Sequence, residues 1–258
     1  MAWTSVNAPI GNACNDKTAG TTIVGTVQAG RDIAIGDVVL VAVAKDETGT
    51  GTTDGDQNEV TGVADSGGVN VYQKIAEYSN TQTAAAADGC VIALFMCHAT
   101  AALAAGGTIT ATFSASTTAS CMSTRKFTIA AGARPHVAAV VTLANDAADP
   151  GSMDTTVDNL EHLWVRLIAF ETANTGLMTN TAAYAGNFDA TQTAGGLDDT
   201  NMKIQGEIDI FTGTSNPSDP TWAAGPFDNA SILAVFREVP PGKGLLLAGA
   251  RNHILRAA

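Results

Sequence analysis

Apolar residues fall in short blocks along the chain, separated by stretches rich in Gly, Thr and Asn, and most blocks have the length or the alternation of a β-strand. TTIVGTVQ at 21–28 alternates apolar residues with Thr and predicts a strand. DVVLVAVA at 37–44 is apolar almost throughout, which predicts a strand buried on both faces. The loop DETGTGTTDGDQNE follows. Residues 60–64 and 69–78 then read as two strands paired across Asp65-Ser66-Gly67-Gly68, a good turn sequence. CVIALFMCHAT at 90–100 predicts a central strand, the paired glycines at 106–107 a turn, and TITATFS at 108–114 an alternating strand.

The second half repeats this grammar. LWVRLIAF at 163–170 corresponds to 37–44, and MKIQGEIDIF at 202–211, with its period of two, to 90–100. Ala119-Ser120-Cys121-Met122 leading to Phe127 resembles Ala230-Ser231-Ile232-Leu233 leading to Phe236. These correspondences predict two diverged β-units, about 21–130 and 131–240, forming one antiparallel two-sheet β-sandwich in which each unit covers the other's apolar face. Residues 1–20 are polar and irregular and read as an N-terminal arm with a short strand near 2–6. Pro240-Pro241-Gly242 ends the last strand, and residues 241–258 read as a C-terminal arm.

Composition supports the all-β reading. Charged residues are only 15 % of the chain and aromatics 5 %, so Thr, Ser, Asn and Gly take much of the surface and small or β-branched side chains most of the core. The large anchors are Trp164, Trp222, Phe95, Phe113, Phe170 and Phe236. A formal charge of −12 repels phosphate backbones and anionic membranes, so neither nucleic acid nor a membrane surface is an expected partner. No run approaches the roughly 20 apolar residues of a membrane-crossing helix, and no basic-then-apolar leader opens the chain. The expectation is synthesis and folding in the cytoplasm.

The search for chemistry predicts no enzyme and no cofactor. There is no nucleophile elbow, and the histidines at 98, 136, 162 and 253 stand singly. Glu207 and Asp209 share one strand face, most simply the wet one. Cys14, Cys90, Cys97 and Cys121 lack zinc spacing and read as small buried thiols, with a bridge from Cys14 or Cys121 left open. Cys90 and Cys97 point to opposite faces of their strand. The nearest approach to a metal site is the oxygen-rich string Asp54, Asp56, Asn58 with Asp65 eleven positions after Asp54, weak candidates for Ca²⁺. Glu59 stands where an EF-hand requires Gly, which rejects that motif. The C-terminal arm is apolar and mildly basic. Leu245, Leu246, Leu247, Arg251, Ile254, Leu255 and Arg256 either dock on a neighbouring subunit or fold onto their own body.

The order GDVVLVAVAKDE, a polar loop, VTGVADSGGVNVYQKIAEYSN, DGCVIALFMCHATAALAAGGTITATFS and finally TWAAGPFDNASILAVFREV resembles a diverse group of bacteriophage virion proteins over about residues 20–240. The group carries a DS-x-GN-x-Y hairpin, which here reads Asp65-Ser66-Gly67-Gly68-Val69-Asn70, a departure that lengthens the expected turn. The resemblance implies a jelly-roll-like sandwich displayed on a virion. As a capsid decoration (cement) protein it would bind the major capsid protein or other virion proteins as a homo-oligomer, with a trimer favoured. As a tail-fibre or tail-tip module it would bind a host surface glycan.

Overall fold

The computed structural model describes residues 3–5, 9–46, 54–81, 89–145, 150–172, 176, 178–193, 201–222 and 228–242, and every regular element among them is a strand. The strands are β1 (Thr4–Ser5), β2 (Ala13–Thr26), β3 (Val38–Asp46), β4 (Val60–Asp65), β5 (Gln73–Thr81), β6 (Gly89–His98), β7 (Thr108–Thr128), β8 (Arg134–Asn145), β9 (Glu161–Glu171), β10 (Gly186–Gln192), β11 (Met202–Thr212) and β12 (Asn229–Val239). Two antiparallel sheets result. β1–β7 form a seven-stranded sheet and β8–β12 a five-stranded one, so the division between sheets falls at the β7–β8 turn.

The sheets pack face to face because alternate residues of their central strands are apolar. Val38, Leu40, Ala42 and Ala44 of β3 and Cys90, Ile92, Leu94 and Met96 of β6 meet Leu163, Val165, Leu167 and Ala169 of β9 and Ile232, Ala234 and Phe236 of β12. The intervening residues of β3 and β6 are also apolar, and they need a second cover. β7 supplies it. It is 21 residues long: its C-terminal half pairs with β3 and the front of β2, while its N-terminal half pairs with the rest of β2 and with β4. Ile109, Ala111 and Phe113 from that half join Val39, Val41, Val43, Val91, Ala93 and Phe95 in a second core. Burial on both faces therefore explains the unbroken apolar runs of β3 and β6.

The two halves share one connectivity. Across the first sheet the order β2-β7-β3-β6-β5 matches β8-β12-β9-β11-β10 across the second, strand for strand in chain order. They differ in what covers the outer face. Among the described residues the five-stranded sheet has no folded-over extension. Loops cover it instead, burying Trp164 with Met153, Tyr184, Leu233 and Val235, and Phe170 edge-on against Trp222 at 4.1 Å between ring centres.

Four local expectations are corrected. β4 and β5 do not pair with each other: β4 joins β7 and β5 joins β6, so the Asp65–Gly68 turn carries the chain between layers. The segment 1–20 is partly built into the body, since β2 begins at Ala13, and Trp3 and Ile10 are buried. Trp3 stacks edge-on against Phe127, and Ile10 belongs to the second core. The face bearing Glu207 is dry rather than wet, with Glu207 fully buried under the loops near Thr181 and Ser218. Finally, the strand expected at 108–114 runs on to 128.

Candidate interaction surface

One end of the molecule brings together the segments 33–37, 65–72 and 98–103 and the β7–β8 turn. Ile33 and Leu103 form an isolated bridge, the Gly36 amide donates to the Ala99 carbonyl at 2.8 Å, and the Ala99 amide donates to Asp37 at 2.8 Å. The Asp65 carboxylate accepts from the Gly67 and Gly68 amides at 3.0 and 2.9 Å, closing a turn of the Asx type. Its other oxygen accepts from the Asn70 amide group at 2.8 Å and the Tyr72 hydroxyl at 3.4 Å. Asn70 in turn accepts from the Thr100 and Ala101 amides at 2.9 and 3.0 Å and donates to the Ala101 carbonyl at 3.1 Å. Burial and the neighbouring Cys97 and Asp65 push the Tyr72 hydroxyl's pKa far up, so it stays a donor.

With Asn70 pinned inward, its neighbours are turned out. Val69 and Val71 are 59 % and 80 % exposed, and Ile35, beside Gly36, is 71 % exposed. Adjoining them is an open groove of about 680 Å³, lined by Ile35, Asp37, His98, Ala99, Ile129 and Arg134 among others. Asp37 is committed within it, holding the Ala34 amide at 2.9 Å and the Lys126 ammonium at 3.2 Å. Partial burial, with Arg134 nearby, lowers the His98 pKa, so the imidazole is neutral at pH 7. Pro241 lies against Gly132 on the rim. The arm residues Leu245, Leu246, Leu247, Arg251, Ile254, Leu255 and Arg256 lie outside the described residues.

Two buried polar networks lie elsewhere. Under the loops of the second sheet, Arg166 donates to the carbonyls of Pro150, Gly151 and Ser218 and to the Ser231 hydroxyl at 2.9–3.2 Å. At the far end of β3, Lys45 pairs with Glu59, and Glu77 accepts from the Glu59 and Val60 amides and from Lys74. Both hold loops to sheets.

The calcium candidates fall into two groups. Asp56 accepts from the Asn58 amide and Asn58 from Lys74, at one end of β4, whereas Asp65 serves the turn at the other. A strand of six residues, about 20 Å, separates them. Among the described residues, no group of three or more His, Cys, Asp or Glu side chains is placed to share a metal ion.

The alternation Val69-Asn70-Val71 carried a signal for this surface that sequence reasoning took for a strand. Ile35 and the groove had none, since three distant segments build them. No family model, no curated protein and no solved structure matches this chain.

Proposed function

We propose that this chain is a non-enzymatic structural protein of a bacteriophage particle, a capsid decoration protein that binds the assembled shell as an oligomer. The exposed apolar end formed by Ile35, Val69 and Val71 is the observation that carries this reading. These are the three most exposed large hydrophobics among the described residues of an acidic chain, and apolar side chains presented together to water mark a contact with another protein. The virion assignment comes from the resemblance of residues 20–240 to phage structural proteins. The Asp65–Asn70–Tyr72 network gives its hairpin motif a physical role: it fixes the loop that presents Val69 and Val71. The finer description, a jelly-roll-like sandwich of two diverged units, draws support from the strand order the two halves share.

A decoration protein works by linkage. Each copy binds the closed lattice and not its free subunits, so many modest contacts together favour the intact shell. Copy number on purified particles tests this. Hundreds of copies in proportion to the major capsid protein, with loss of heat or low-salt resistance when they are stripped, are expected. A handful of copies at the tail would overturn decoration in favour of a tail-tip module.

A further inference from the structure

Cys14 and Cys121 lie directly opposite each other in the β2–β7 ladder, with their sulfurs 3.2 Å apart. Residues opposite each other in an antiparallel pair have Cα atoms about 4.5–5.5 Å apart, inside the range a disulfide spans. Cys121 is fully buried and directs its thiol to the Met202 carbonyl of the facing sheet at 3.2 Å, while Cys14 is partly open to solvent. The remaining two cysteines cannot substitute. Cys90 shares the core between the sheets with Cys121, but β3 runs between their strands and holds them apart, and Cys97 lies in the core on the other face of β6.

We propose that Cys14 and Cys121 are a redox-closed staple, dithiol under reducing conditions and disulfide under oxidising ones. With glutathione disulfide as oxidant, the Cys14 thiolate attacks one glutathione sulfur and expels a glutathione thiolate, which takes up a proton. Cys121 then loses its proton and attacks the Cys14 sulfur, expelling the second glutathione. The protein gives up two electrons and two protons, and one glutathione disulfide becomes two glutathiones.

Placement gives the staple an effect. β2 pairs with β7 at Ala13–Asp16, then loses register before Gly20, so a short ladder holds the front of β2. A bond at Cys14 would fix it there and close a loop between positions 107 apart in sequence. On the virion reading proposed above, the particle would fold with this segment reversible in the reducing cytoplasm and lock it after release. The thiol chemistry itself does not depend on that reading.

The experiment uses the full chain, purified with reductant, freed of it, and incubated folded with glutathione disulfide. Unfolding and alkylation should then find two reactive thiols where the reduced protein has four, and digestion should yield one cross-linked pair, 14 with 121. The oxidised form should melt higher by about 10 °C. C14S and C121A should each abolish the cross-link while retaining the strand circular-dichroism spectrum; C97S should leave it intact. Four persistent thiols, a lasting glutathione adduct on Cys14, or a bridge to Cys90 or Cys97 would each overturn the proposal.

Discussion

Arg166 and Glu207 stand opposite each other in the β9–β11 register, and both hold Ser218: the guanidinium donates to its carbonyl at 3.1 Å, and the carboxylate accepts its hydroxyl at 2.5 Å. Glu207 also takes the Thr181 amide and hydroxyl at 2.7 and 2.9 Å. The pair ties three loops to the outer face of the second sheet, where a mainly apolar strand carries one charge. Removing one member leaves the other buried with its loop groups unsatisfied. Arg166→Met should therefore cost about 3–5 kcal/mol in urea unfolding. Combining it with Glu207→Gln should cost less than the sum of the two single changes, because the stranded charge is gone.

The turn network predicts a graded series. Asn70→Ala removes the clamp on Thr100 and Ala101 and should cost about 1–2 kcal/mol. Asp65→Ala also releases two turn amides and the buried Tyr72 hydroxyl and should cost more, about 2–3 kcal/mol. Chemical denaturation of both variants checks the order, and equal costs would show that Asn70 rather than Asp65 organises the turn.

Lys203 predicts a pH dependence. Burial lowers its pKa from 10.5 to about 8, with the ammonium 4.7 Å from the Trp222 ring centre and donating to the Gly176 carbonyl. Below pH 8 both folded and unfolded chains carry the charge, and folding bears the burial cost. Between pH 8 and 10.5 the folded chain has shed a proton that the unfolded chain still holds, so this contribution to stability rises with pH. Cys97, its thiol pushed up to about 11 by burial, contributes with the opposite sign above pH 9. Lys203→Met isolates the first effect. The variant should be more stable than the parent at pH 7, by about 1–3 kcal/mol, and the advantage should shrink across pH 8–10.5 in thermal melts.

Burial decided what could be read from the sequence. β3, β6 and β9 are buried on both faces, so their apolar runs stand out from the chain. β11 shows its alternation because one face lines the inter-sheet core. The front of β2 and the second half of β7 consist mostly of small and polar residues, whose pattern is faint, and ladder irregularities break the period further. β8 and β10 lie at sheet edges, where half-exposed residues need no strict alternation. The hairpin between β4 and β5 was misread because its turn chemistry is real. Asp65 does close a turn, but the β7 extension takes β4 into another layer. Polar groups buried beneath loops left one trace, Arg166 inside LWVRLIAF. Closeness across the ladder, as between Cys14 and Cys121, depends on register, which the sequence does not display.

The exposed apolar end separates a binding role from a folding role. Val71 is 80 % and Ile35 71 % exposed, so neither contributes much buried area to the chain's own stability. Replacing them together by Asp should leave the melting temperature within about 2 °C of the parent, since surface changes of this kind cost little. The same change places two charges at the centre of any apolar contact, where burying each unpaired costs several kcal/mol. On the decoration role proposed above, binding to stripped particles should therefore fall by about a hundredfold or more while the fold persists. Sedimentation of labelled protein with particles, beside a melt of the same sample, reads both quantities. Undiminished occupancy by the folded double variant would show that this end faces solvent on the particle and that another surface makes the contact.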